Sequence, residues 1–174
     1  MTTISFHIPG TPVPQARSRH RVVKLRNGAT FAQQYDPAES RVWKATVAEF
    51  AARAMAGQRP IEGPVSVELV FMFLPTASWS KRKLAELRTA GELARPVKPD
   101  LDNLIKGVVD GMKGIVFRDD GQIWSYGHSR KVYGLHAEVR IRVAACEESA
   151  RKTTLVEATE LPLLAGGARC ATTA

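Results

Sequence analysis

Residues 98–122 read KPDLDNLIKGVVDGMKGIVFRDDGQ and gather five aspartates, Asp100, Asp102, Asp110, Asp119 and Asp120. The chain around them leans the other way, with 25 Lys and Arg against 17 Asp and Glu and a net charge of +8. Within the stretch, Leu101, Leu104, Ile105, Val108, Val109 and Met112 recur at three- and four-residue spacings, which predicts a helix over 101–112 with one apolar stripe. Asp102, Lys106 and Asp110 then fall on the opposite side, one turn apart. Asp100 follows Pro99 at the helix entrance, where a carboxylate can cap free backbone amides.

Upstream, Ile4, Phe6 and Ile8 alternate with polar neighbours and predict a strand over 3–8, ended by Pro9-Gly10. A Pro-rich basic loop follows. RVVKL and TFAQQY are two β-prone runs joined through Arg26-Asn27-Gly28-Ala29, and Asn-Gly between such runs predicts a hairpin. Arg17, Arg19, Arg21, Lys24 and Arg26 make this hairpin a basic finger, with His20 among them and no acid between Arg17 and Tyr35. Asp36 is the expected N-cap of a helix with Pro37 in its first turn, and Val42, Trp43, Val47, Phe50 and Met55 its expected apolar side. Val65–Leu74 reads as a buried strand. Ser78–Thr89 reads as a short helix with basic residues at 81, 82, 83 and 88. GQIWSYGHSRKVY and LHAEVRIRV alternate as two strands expected to pair through Gly134, with Leu135, Ala137, Val139, Ile141 and Val143 on one face. This order predicts a single small α/β domain of the α+β type over 1–146, with a mixed or mainly antiparallel sheet packed against helices. Residues 147–174, rich in Ala, Thr and Gly, are expected to form a poorly ordered tail.

Composition narrows the class. A hydrophobic content of 44% suffices for one core, and a sequence pI of about 9.9 favours polyanionic partners. Cys146 and Cys170 form no CxxC and have no His at ligand spacing, which fits a reducing compartment. The N-terminus MTTISFHIPG lacks the features of a signal peptide, and Val65–Leu74 is too short to span a bilayer, so a cytoplasmic location is expected and membrane binding is not.

Taken singly, the aspartates have ordinary roles: Asp100 a cap, Asp102 and Lys106 a surface pair, Asp119-Asp120-Gly121 a turn. Together these roles explain less, because a turn needs one Asp and a cap does not call for a second carboxylate two residues later. The chemical reading is that Asp100, Asp102 and one of the later pair converge on a divalent cation. Mg²⁺ prefers carboxylate oxygens and keeps several waters, so few protein ligands suffice. Carboxylates within a basic chain then fit phosphodiester hydrolysis, with the basic surface holding the backbone. Two other readings stand beside it: a non-catalytic junction- or duplex-binding module, which the hairpin alone would serve, and a Mg²⁺-dependent nucleotide hydrolase. The first leaves five aspartates unexplained; the second lacks a Gly-rich phosphate cradle.

The pattern DLDNLIKGVVDGMKG…FRDDGQI, with IPGTPVPQARSR near the N-terminus, resembles the RusA family of Holliday-junction resolvases over roughly residues 3–144. The matching positions are Asp100, Leu101, Asp102, Asn103, Lys106, Asp110, Phe117, Asp119, Asp120 and Gln122. The chain has Arg17-Ser18-Arg19 where relatives commonly carry a proline between the two arginines. The resemblance implies an endodeoxyribonuclease that resolves four-way junctions by paired nicks, with Mg²⁺ or Mn²⁺. It implies that Asp100, Asp102 and Asp120 bind metal, that Asp119 supports them or adds a ligand, and that Lys106 acts in catalysis. It also implies a homodimer from bacteria, their phages or prophages, acting in recombination and repair. Asp110, two turns past Asp102, is expected to be structural.

Overall fold

The computed structural model describes residues 2–146. The expected tail at 147–174, with Cys170, lies outside the described residues. β4 (Val65–Phe73) is the spine of the fold. Its residues Val65, Val67, Leu69, Phe71 and Phe73 all face one side and are buried, as period-two alternation requires. On one side β4 pairs antiparallel with β8 (Glu138–Ala145), and β8 with β1 (Thr3–Pro9). On the other it pairs parallel with β6 (Ile123–Ser125) and β7 (Arg130–Tyr133), and β7 pairs with the short β5 (Leu93–Ala94). The sheet is therefore mixed, in the order β1-β8-β4-β7-β5.

Two helices cover its apolar face. α1 (Ala38–Met55) buries Ser40, Trp43, Val47, Ala51 and Met55, and α3 (Leu101–Met112) buries Leu104, Val108, Val109 and Met112. Both join the main core with Ile4, Ile8, Val139 and Ile141. The helices cross closely because α3 has Gly107 and Gly111 at the contact. A Cβ at Gly111 would sit 2.6 Å from Val47 Cβ and 2.9 Å from the Lys44 carbonyl oxygen, a space no other residue fits. α2 (Lys81–Ala90) is capped by Ser80, whose hydroxyl accepts from Lys83 N–H, and its four basic residues are exposed. β2 (Arg19–Lys24) and β3 (Thr30–Tyr35) form a separate antiparallel ribbon around Gly28, which takes φ +82°.

Four local expectations are corrected. The last two strands do not pair with each other: β4 lies between them, and residues 134–137 carry the chain over its end. A four-residue link imitates a hairpin, but the largely apolar β4 takes the central place. Asp36 does not cap α1. Pro37 stands at the cap position, and the Asp36 carboxylate instead accepts from Lys44 Nζ at 2.8 Å and Ser18 Oγ at 3.1 Å. Val42 and Leu135 are exposed, since Ser40 and Ala51 lie on the true inner stripe of α1 and β8 begins only at Glu138.

Candidate active site

The five aspartates separate by what already holds them. Asp119 has a structural task. It caps a 3₁₀ turn at Asp120–Gln122, accepting from Gly121 N–H at 2.9 Å, and Gln122 completes a capping box. Gln122 ties the turn to the body: its Oε1 accepts from Arg118 and Asp119 N–H, and its Nε2 donates to the Ile61 and Gly63 carbonyls at 3.0 and 2.7 Å. Asp110 pairs with Lys44 Nζ at 2.8 Å, so one ammonium bridges Asp110 on α3 to Asp36 before α1. Burial alone would lower the Lys44 pKa, but its bonds to Asp110 and Asp36 overcome this and raise it.

The turn expected at Asp119-Asp120-Gly121 is present, whereas the ordinary roles fail for Asp100 and Asp102. Asp100 occupies the cap position of α3, yet its side chain makes no capping bond and is exposed. Lys131 Nζ fixes that entrance by donating to the Val97 and Pro99 carbonyls at 2.8 and 2.6 Å. Among the described residues, Asp102 and Lys106 form no ion pair, with each other or with any other group. Asp120 is not a cap either; its Oδ1 accepts from Lys113 Nζ at 3.0 Å while Asp119 Oδ2 takes the same ammonium at 2.6 Å. Lys113 is held well above its ordinary pKa by those bonds to Asp119 and then Asp120. Asp119 is held below its own, first by Lys113 and then by Gly121 N–H.

One cleft of about 400 Å³ is lined by Asp102, Ile105, Lys106, Val109, Asp110, Asp120 and Tyr126. It thus collects three of the aspartates and the lysine predicted beside them, on α3 and the 3₁₀ turn. Asp100 and Asp119 are not part of its lining. Among the described residues, no three acidic, His or Cys side chains stand close enough together to hold one metal ion. The donor set nonetheless fits a hard cation: the cleft offers only carboxylate oxygens and a phenol, without sulfur or imidazole. A cation that retains most of its water needs one or two carboxylates from protein and takes the rest from substrate phosphate.

Sequence reasoning missed three residues here. Tyr126 could have been found, because period-two alternation through IWSY sets it beside Trp124. Burial and then the charge of Asp120 hold its phenol above the ordinary value. Lys113 and Lys44 carry no periodic signal, because Lys113 meets Asp119 and Asp120 across a turn and Lys44 meets Asp110 on another helix. The predicted DNA-binding residues lie elsewhere. Arg17 is in the loop before β2, Arg19, Arg21 and Lys24 are on β2, Arg26 is at the ribbon turn, and all are exposed. Ser40 Oγ accepts from Ala16 N–H at 3.1 Å, which anchors the base of that loop to α1.

A basic chain with a carboxylate cleft on an α+β body is the arrangement of a nuclease. The family described as Endodeoxyribonuclease RusA matches residues 9–144, and the chain belongs to that family of Holliday-junction-resolving endodeoxyribonucleases. A protein of Bacillus subtilis (strain 168), named Uncharacterized protein YqaN, is 35% identical over 127 residues, covering 71% of this chain and 83% of that one. Among the described residues, no helix is long and apolar enough to cross a membrane.

Proposed function

We propose that the chain resolves four-way junctions by paired, symmetric nicks that depend on Mg²⁺, with Mn²⁺ as a substitute. It does so as a cytoplasmic homodimer, in the recombination and repair of a bacterium or of a phage or prophage it carries. A two-fold dimer suits a nearly two-fold substrate, with one cleft for each nicked strand. The observation that carries the reading is the cleft shared by Asp102, Lys106 and Asp120 in a chain of this family.

In this reading Asp102 and Asp120 hold the cation, with Asp100 joining from the helix entrance. When bound, Mg²⁺ supplies a Lewis acid for the phosphate and lowers the pKa of a water ligand. Lys106, unpaired with any carboxylate among the described residues, aims its charge at the scissile phosphate and offsets the negative charge that builds there. Lys113 spares Asp119 and Asp120 mutual repulsion and keeps the 3₁₀ turn in place. Arg17, Arg19, Arg21, Lys24 and Arg26 grip the phosphate backbone through charge.

The test is incubation with a labelled four-way junction and a linear duplex, in Mg²⁺ or EDTA, beside Asp102→Asn. The expected result is paired nicks on the junction alone, lost in EDTA and in Asp102→Asn while that variant still binds. Junction binding with no cleavage in either Mg²⁺ or Mn²⁺ would leave a binding module and overturn the proposal.

A further inference from the structure

Phosphate contacts leave one feature of the β2–β3 ribbon unused. In an antiparallel pair, opposed residues share a face. Arg19 opposes Tyr35, Arg21 opposes Gln33 and Val23 opposes Phe31, so one face carries two rings, two guanidinium groups and a valine. Phe31 is 46% exposed and Tyr35 38%, and neither belongs to the hydrophobic core. The Arg21 guanidinium lies 5.6 Å from the Tyr35 ring centroid, and its Nε donates to Gln33 Oε1 at 2.9 Å. Guanidinium and ring are thus held as a pair on the surface.

Backbone grip needs cations and gains nothing from rings. Two exposed rings on a ribbon that packs chiefly against itself mark a surface awaiting a partner. Charge selects the partner. Residues 17–35 contain no acid, and the nearest one, Asp36, is turned away to Lys44 and Ser18. Two such ribbons face to face would repel, whereas DNA offers both phosphates for the cations and flat π-surfaces for the rings. In a linear duplex those surfaces are covered by neighbouring base pairs. At a branch point stacking breaks, and they open.

We propose that Tyr35, Arg21 and Phe31 form a platform that stacks on nucleobases laid open at the branch point, and so favours branched over linear DNA. This rests on the junction reading above. The ribbon then has two roles in one element, with charge for any DNA and rings for the branched kind. Base–aromatic stacking carries enough energy for about a ten-fold effect per ring.

The experiment uses the full chain in EDTA, binding a four-way junction with a fluorescent aminopurine beside the branch point and a linear duplex of the same sequence. Phe31→Ala and Tyr35→Ala are expected to weaken junction binding about ten-fold each. They leave duplex binding and its salt dependence unchanged and diminish the aminopurine response. Phe31→Tyr and Tyr35→Phe, which keep a ring, are expected to bind as the parent does. Equal losses on junction and duplex overturn the platform, as does a ring-retaining variant as weak as its alanine counterpart. A fall in oligomeric mass on light scattering would also overturn it, by assigning the face to contacts between copies. If the parent fails to nick while the selective binding loss persists, the cutting mechanism falls and the platform stands.

Discussion

The basic ribbon and the acidic cleft answer opposite demands on one chain. The ribbon β2–β3 reaches out and packs mainly on itself, with its cations exposed. The cleft wall is fastened from every side. Gly107 and Gly111 let α3 settle against α1, Lys44 bridges the two helices' ends, and Gln122 bolts the 3₁₀ turn to the segment around Ile61. A cation attracts phosphate over several ångströms and tolerates movement. A carboxylate that shares a metal with another does not, since a small misplacement of reacting groups costs orders of magnitude. The fold ties the cleft wall to several neighbouring elements, whereas the ribbon proposed to grip DNA packs chiefly on itself.

That contrast can be broken by substitution. The largest effect is expected at Lys106. Lys106→Gln should slow single-turnover cleavage a hundred- to a thousand-fold, roughly the cost of removing one donor from a developing charge. Junction affinity should hardly change, because one cation among many is removed. A rate within a few-fold of the parent would exclude Lys106 from the chemistry.

Next comes the fastening of α3. Gly111→Ala forces a methyl against Val47 and the Lys44 carbonyl and should destabilise the fold by about 1–3 kcal/mol, read as a lower melting temperature. Gly107→Ala meets its nearest atoms only at 3.3–3.4 Å and should cost less. A Gly111→Ala variant as stable as the parent would mean that the helix crossing has slack. On the ribbon, by contrast, replacing Arg17, Arg19 and Arg21 together with Ala should leave melting nearly unchanged. It should lower DNA affinity and flatten the salt slope by ~0.9 for each phosphate no longer neutralised. An unaltered slope would move the DNA surface to another part of the molecule.

The smallest effect concerns pH. Asp36 is held below its ordinary pKa, chiefly by its bond to Lys44, with burial opposing and Ser18 assisting. A depressed carboxyl stabilises the folded state above its unfolded value near 3.8, and that support is lost as pH falls through the lower folded value. Lys44, raised above 10.5, acts in the opposite sense: its support is complete below that value and is lost as pH climbs through the higher folded one. Lys44→Met should therefore cost about 1 kcal/mol at neutral pH, the scale of a partly exposed pair. The difference from the parent should shrink at pH 3, as followed by denaturant unfolding. A constant gap between pH 3 and 7 would contradict the bridge.

The same contrast explains what can be read from the sequence. The hairpin is legible because Asn-Gly and its flanking runs are neighbours along the chain, and the α3 stripe because helical periodicity is local. The mixed sheet is legible as a class. Its order is not, because nothing in RKVY or EVRIRV reports that β4 comes between them. Asp102, Lys106 and Asp120 can be singled out from spacing and resemblance, and the fold brings them to one cleft. Asp110, expected to be structural, binds Lys44 yet also faces that cleft. Lys44, Lys113 and the closeness of Gly111 to Val47 depend on elements meeting in space, so no spacing rule reaches them.

The central claim is that holding and cutting are separable between these two regions. Its most direct test measures equilibrium junction binding and single-turnover nicking at saturating protein for two variants, Asp102→Asn and the Arg17/Arg19/Arg21 triple alanine. The account predicts a crossed result: Asp102→Asn binds like the parent and does not nick, whereas the triple variant binds weakly but, once saturated, nicks at close to the parent rate. If both variants lost binding in parallel, or the saturated triple variant failed to nick, the division between ribbon and cleft would be contradicted.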